Sequence, residues 1–415
     1  MVYTAKRIQN VYLALVLGNT LAASFIWGIN TIFLLDAGLN NFEAFAANAF
    51  FTAGMVLFEI PTGVIADTRG RQVSFMLGAL TLIIATLGYL LLWQMTASFW
   101  LWAVVSAFLG LGFTFFSGAL EAWLVDALHS VKFEGELDAV FAKGQVIGGV
   151  AMLVGSVAGG AIAQLTNLGV PYIIRAVLLV ATLLTAYFFM RDLGFKPERT
   201  AHPLRDVKKL LNSSIEYGLK NPPVRWLMLS ALFIGGVSFY VFYAMQPYLL
   251  ELYGDEKAYG IAGLVAAIVA GAQIAGGLAA PRIRRLFRRR TDALIFGVLS
   301  TVVILFLSYV IPIFWVVIIL LVSWGLISAA IMPIRQAYLN GLIPSKQRAT
   351  VLSFDSLMSS SGGVVSQPAL GKVADLYGYA PSYAVAAAIQ AVALPFLLKA
   401  RSDRTPSDAI VDIKK

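Results

Sequence analysis

The 415 residues are 59% apolar and only 13% charged, against about 25% charged in an ordinary soluble domain, so the chain's main solvent is not water. With no cysteine and two histidines there is no disulfide framework and no Cys/His metal cluster, which argues against redox and zinc chemistry. The net charge of +9 belongs to loop cations on one side of a membrane and not to a nucleic-acid surface.

A hydrocarbon core of about 30 Å needs roughly 20 apolar residues in helical form, and unpaired backbone cannot face lipid, so each long apolar run predicts a spanning helix. The first half of the chain carries runs at Val11–Leu35, Ala44–Ala66, Val73–Trp93, Phe99–Leu124, Val140–Leu165 and Val170–Met190. The second half carries Trp226–Leu250, Ala258–Ala280, Ala293–Ile311, Phe314–Ile334, Thr350–Leu370 and Ala380–Leu398. Pro312 divides the long stretch from Ala293 to Ile334 into a hairpin of two helices. The first run follows Lys6 and Arg7, is as long as a full span and leads into a second, so it reads as a helix and not as a cleavable leader.

Lysine and arginine resist translocation and collect in cytoplasmic loops. With both termini cytoplasmic, all of them except Arg175, Lys257 and Lys372 fall on or beside the inner face. Arg282, Arg284, Arg285, Arg288, Arg289 and Arg290 form a dense cluster after the eighth run, expected to anchor topology against anionic headgroups. Arg175, near the outer end of the sixth run, is expected to snorkel or pair locally. The expected organisation is an N-terminal six-helix bundle over 1–190, a polar linker over 191–225, a C-terminal bundle over 226–400 and a cytoplasmic tail over 401–415. Within the linker Leu204, Val207, Leu211, Ile215 and Leu219 recur at helical spacing beside Arg205, Lys208 and Lys209, which predicts an amphipathic helix on the inner leaflet.

Four run ends share one small-residue phrase: Gly63-Val-Ile-Ala-Asp67, Gly160-Ala-Ile-Ala-Gln164, Gly277-Leu-Ala-Ala-Pro281 and Gly371-Lys-Val-Ala-Asp375. The first and third begin 214 positions apart and the second and fourth 211, so the halves superpose in sequence. Two six-helix halves, each made of two inverted three-helix units, leave this pattern behind.

Polar groups at membrane depth are expensive unless they face a cavity. On the fourth run Gly110, Thr114, Ser117, Gly118 and Glu121 recur at spacings of three and four, one polar stripe ending in a carboxylate. Glu121 is therefore the leading candidate for a proton carrier, because a carboxyl among apolar groups binds its proton more tightly. The alternative is a structural carboxylate paired with a loop arginine. Asp355 is the second proton-site candidate; it precedes the small, hydroxyl-rich run Ser356, Ser359, Ser360, Ser361, Gly362 and Gly363. Trp27, Asn30, Tyr240, Tyr243, Gln246, Trp324 and Ser328, with Thr114 and Ser117, are the candidate substrate contacts. Aromatic faces suit bulky amphipathic compounds better than sugars, though each ring taken alone also fits packing or interfacial anchoring. No hydrolytic or phosphate-binding constellation is present, so neither enzymatic chemistry nor direct use of ATP is expected.

The loop Gly63-Val-Ile-Ala-Asp67-Thr-Arg69-Gly70-Arg71 resembles the signature loop of the major facilitator superfamily. Phe58-Glu59-Ile60-Pro61-Thr62-Gly63 and Ser117-Gly118-Ala119-Leu120-Glu121-Ala122-Trp123 resemble its drug:proton antiporter branch, which includes macrolide and tetracycline exporters. The chain departs from that branch in having no arginine between Phe99 and Asp126, and no proline among Gly148, Gly149, Gly155, Gly159 and Gly160. The resemblance implies an all-α membrane protein of twelve helices in two pseudo-symmetric six-helix bundles, a monomer in the cell inner membrane. It implies proton-coupled efflux of amphipathic compounds by alternating access, with no cofactor beyond the proton gradient. It also implies a gate: Arg71 bridging to Asp126, Asp67 meeting the start of the eleventh helix, and Arg69, Gly70 and Glu59 beside them, with Glu59 equally placed to accompany the Pro61 kink. A proton-coupled uptake permease, an exporter of an endogenous metabolite such as a siderophore, and a non-transporting membrane sensor or scaffold are the rival readings.

Overall fold

The computed structural model describes residues 3–195, 197, 218–344 and 348–410. The core of the expected linker helix, Leu204 to Ile215 with its cations, lies outside the described residues, and Leu219 alone of its apolar face lies within them. Among the described residues no strand forms, and α-helices follow one another: α1 Ala5–Trp27, α2 Asn30–Asp36, α3 Asn41–Arg69, α4 Arg71–Trp93, α5 Phe99–Thr114, α6 Ala119–Ser130, α7 Leu137–Leu165 and α8 Gly169–Phe189. The second series is α9 Pro222–Tyr253, α10 Tyr259–Arg284, α11 Arg290–Val310, α12 Phe314–Leu342, α13 Arg348–Tyr377, α14 Tyr379–Ala391 and α15 Ala393–Ser402. The first, fourth and twelfth spans are each built from two helices, α1 with α2, α5 with α6, and α14 with α15. Among the described residues, eleven spans are long and apolar enough to cross a membrane on length and composition alone. The remaining one, α13, is 30 residues long and carries the serine and glycine run that lowers its hydropathy. The Pro312 hairpin is present between Val310 and Phe314.

The described chain forms two compact units. One takes residues 1–39, 50–203 and 257–267, the other 40–49, 204–256 and 268–415. In the first, α1 packs on α7 and α8, and α4 on α5 and α8. In the second, α9 packs on α13 and α15, and α11 on α12 and α14. In span numbers these are one with five and six, three with four and six, then seven with eleven and twelve, nine with ten and twelve. The repeat seen in sequence is thus a repeat of helix pairings. Glycine sets the closest approaches: a methyl on Gly159 of α7 would overlap the carbonyl oxygen of Phe25 on α1, and one on Gly362 of α13 that of Leu232 on α9. Small residues let the backbones close in where the apolar effect no longer drives helices together.

Helix starts are held by carboxylates from far along the chain. Asp192, just beyond α8, accepts the Gln72 amide at 2.9 Å and so caps α4. The α4 N-cap is Gly70 at φ +114°, where an L side chain is strained and would run into the Asp192 carboxylate. Burial raises the Asp192 pKa, with the charge of Asp126 adding to the effect; the amides of Gln72 and Arg71 and the Arg71 charge oppose it. Asp408 plays the same part for α11, accepting the Thr291 amide at 2.8 Å and its hydroxyl at 2.9 Å.

Candidate functional site

The fourth span breaks. Helix α5 ends at Thr114, the chain turns through Phe115–Gly118, and α6 restarts at Ala119 with Gly118 in the left-handed region at φ +68°. The Phe115 carbonyl accepts the Ser74 hydroxyl at 2.9 Å, so the interruption leaves that acceptor paired. Beside the break lies a cavity of about 370 Å³. Rings of Tyr12, Phe75, Phe113 and Phe116 form its apolar wall, and Asn19, Thr20, Gln145, Ser117 and Glu121 supply polar groups. The Ser117 hydroxyl donates to the Glu59 carboxylate at 2.7 Å, which ties α3 to the break.

The break corrects the single polar stripe expected on the fourth span, because that reading assumed one continuous helix. Ser117, Gly118 and Glu121 line the cavity. Thr114 is buried and its hydroxyl donates to the Leu111 carbonyl at 2.8 Å, while Gly110 is pressed against the backbone of Phe51 and Gly54. Glu121 is exposed to this mixed wall of rings, amides and hydroxyls, which corrects the expectation of apolar surroundings alone.

Arg175 does not snorkel. It is 2% exposed, donating to the Thr86 hydroxyl at 3.1 Å and the Ala22 carbonyl at 3.3 Å, with its guanidinium carbon 5.9 Å from the centroid of the Phe113 ring. Beside it lies an aromatic cluster of the first unit: Phe33 stacks on Tyr172 at 4.0 Å and meets Trp93 and Trp102 at 5.6 and 6.2 Å. Asn30, a candidate substrate contact, accepts the Tyr172 hydroxyl at 3.0 Å as part of this cluster. Trp27 closes the C-terminal end of α1, half-buried.

In the second unit Tyr240 is fully buried, bonded to the Ser382 hydroxyl and packed 4.9 Å from Phe45 and 6.3 Å from Tyr383. Gln246 and Trp324 are buried, and Tyr243 and Ser328 half-buried. Tyr240 is thus a core ring in this structure, because its hydroxyl finds a partner inside the unit. Asp355, the second proton-site candidate, is not a free carboxyl. Both its oxygens accept from Arg335, at 2.6 and 2.7 Å, and Arg335 also donates to the Leu227 carbonyl at 3.1 Å. Sequence reading missed Arg335: an arginine and an aspartate 20 positions apart on different helices carry no local signature.

At the signature loop Arg71 pairs with Asp67 and lies over the Phe195 ring at 5.8 Å. The expected Arg71–Asp126 bridge is absent among the described residues, because Asp67 in the last turn of α3, just across Gly70, already pairs with Arg71 at the start of α4. Arg69 is exposed. Glu59 accepts from Ser117, and the Thr62 hydroxyl donates to the Phe58 and Glu59 carbonyls at 2.8 and 3.2 Å beside Pro61, so Glu59 both borders the proline turn and reaches the cavity rim.

Two repeated helical units with a polar, ring-lined cavity at a broken span are the architecture of a membrane transporter, not of an enzyme. The profile of the major facilitator superfamily matches residues 12–291 and again 258–412, and the chain belongs to that superfamily as a multi-pass membrane transporter. The multidrug resistance protein MdtG of Salmonella typhimurium is 26% identical over 334 residues, covering 79% of this chain and 77% of the relative; that of Salmonella choleraesuis matches equally. Among solved structures, the nucleoside transporter NupG superposes with a TM-score of 0.74 at 11% identity, over 94% of this chain and 98% of that one. A peptide transporter POT in complex with sulfate superposes with a TM-score of 0.72 at 12% identity, over 95% and 94%.

Proposed function

We propose that this transporter is a proton-coupled exporter of amphipathic organic compounds, working by alternating access so that its site meets one side of the membrane at a time. The cavity beside the broken fourth span carries the reading. Its rings offer broad apolar contact and cation-attracting faces, its amides and hydroxyls fix orientation, and a single carboxylate, Glu121, sits at the wall. A carboxylate there serves proton and substrate alternately: a proton neutralises Glu121 and weakens its hold on a basic or hydrogen-bond-donating group, and loss of the proton restores that hold. Ser117 couples this wall to Glu59 on α3, so movement of α3 is felt at the site. The MdtG relatives named for multidrug resistance support export over uptake.

Purified protein in sealed proteoliposomes under an imposed pH step tests the proposal, with an amphipathic fluorescent cation as probe. Native protein accumulates or expels the probe in response to the step. Glu121→Gln is expected to insert and fold normally yet lose gradient-driven movement while keeping passive exchange of bound probe. Full pumping by Glu121→Gln would remove this residue from the coupling step.

A further inference from the structure

Four glycines of α7 face α1, and they divide into two kinds. At Gly155 and Gly159 a methyl group would overlap the Ser24 hydroxyl and the Phe25 carbonyl of α1, so glycine is what lets the two helices touch. Gly144 and Gly148 precede Gly155 by eleven and seven residues, which places them on the same side of α7, and there the cavity beside the broken span parts the helices. Next to Gly144 the gap is refilled by the Tyr12 ring, whose phenol oxygen a methyl at position 144 would approach to 2.7 Å. Next to Gly148 it stays open: a methyl there would stand 3.7 Å from Val16 and 3.8 Å from the Thr20 hydroxyl, at ordinary van der Waals separation. Gly148 lies in the interior of α7 with no left-handed backbone to accommodate. Inside a helix glycine is less stable than alanine. Neither the backbone nor the packing of α1 on α7 requires glycine at this position; what glycine leaves there is room in the cavity wall.

We propose that Gly148 is a specificity-determining residue: its missing side chain sets the largest cation that the cavity between α1 and α7 accepts. The wall carries one carboxylate, Glu121, and neither lysine nor arginine, so a single positive charge is matched there and an anion is not. The rings take the apolar bulk around that charge, and Val16 with Thr20 stands opposite Gly148 as the facing jaw. A methyl at position 148 takes space from the α7 side, and shortening Val16 returns space from the α1 side. The inference rests on the reading of this cavity as the exporter's cation site and adds a limit on size; proton coupling does not enter it.

Equilibrium dialysis of the purified protein in detergent at constant pH tests this, with radiolabelled tetraethylammonium as the small cation and tetraphenylphosphonium as the large one. Native protein is expected to bind both. Gly148→Ala is expected to weaken tetraphenylphosphonium binding about 10-fold and to leave tetraethylammonium within about 3-fold of native, while its melting temperature stays at or above native. Gly148→Val, with two further methyl groups, is expected to weaken the large cation about 100-fold. Adding Val16→Ala to Gly148→Ala is expected to bring the large cation back to within about 3-fold of native. Should Gly148→Val fail to fold, Val16→Leu narrows the cavity from the facing jaw and is read in the same way. Large-cation binding that is unchanged by Gly148→Ala, a loss equal for both cations, or a double variant no tighter than Gly148→Ala overturns the size limit and leaves the exporter reading standing. Native protein that binds neither cation overturns the cation site of the exporter reading, and the size limit with it.

Discussion

Truncating one side of the Arg335–Asp355 pair gives a sharp stability test. Both side chains are close to one-tenth exposed, at 12% and 11%, and the guanidinium grips both carboxylate oxygens. Asp355→Ala leaves Arg335 with the Leu227 carbonyl as its remaining partner. Breaking a buried pair from one side costs about 3–5 kcal/mol, because the surviving charge stays desolvated. The retained carbonyl bond and the slight exposure place this case near the lower end, at about 3 kcal/mol. For a unit of this size each kcal/mol moves the melting temperature by roughly 2–4 °C, so a fall of about 6–12 °C is expected for the second unit. Differential scanning fluorimetry in detergent measures it. The double variant Arg335→Met with Asp355→Leu, which replaces the pair by apolar groups of similar size, is expected to recover to within about 1 kcal/mol of native. An Asp355→Ala variant melting within roughly 2 °C of native, or a double variant no better than the single, refutes the reasoning. The double variant also decides between roles: a carboxyl that carries the coupled proton cannot be replaced by leucine, so gradient-driven transport by a well-folded double variant assigns Asp355 to structure.

Two further outcomes follow from the packing and the caps. Gly159→Ala puts a methyl into the Phe25 carbonyl, and overpacking at a helix crossing costs about 1–3 kcal/mol, so a lowered melting temperature and a broadened elution profile are expected; a native profile would mean that α1 and α7 separate freely. Burial makes the folded protein bind the Asp192 proton more tightly than the unfolded chain does, so stability relative to Asp192→Asn falls as pH rises through the unfolded value of 3.8 and levels off above the raised folded value. Melting temperatures of the two proteins across that range check the sign, and a gap that moves in the native protein's favour would refute it.

The helices were legible because each apolar run is long, and the Pro312 hairpin because proline cannot continue a helix. The repeat was legible because four phrases share order and offset. The break in the fourth span was not: Gly118 reads equally as a packing residue inside a continuous helix, and only the left-handed turn at Phe115–Gly118 shows that it is a joint. That joint decides which of the stripe residues reach the cavity: Ser117 and Glu121 line it, and Thr114 does not. Asp192 and Asp408 were illegible as caps for a different reason. Their partners are backbone amides, which every residue but proline carries, so nothing in the sequence marks position 72 or 291 as the receiver. The Asp67–Arg71 pair shows the reverse case: two charges four positions apart, on either side of the bend at Gly70, found each other ahead of the longer-range bridge that the family resemblance implied.

The carboxylates beyond α8 and the tail of the chain also impose a schedule on biosynthesis. Gln72 waits for Asp192 across 120 residues, and Thr291 for Asp408 across 117. At roughly 5–20 residues per second, each of these helix ends stands open for about 6–24 s after it leaves the ribosome. The earlier bundle can therefore be sealed while the later one is still being made, and a translation pause placed between Thr291 and Asp408 prolongs exposure in the later bundle alone.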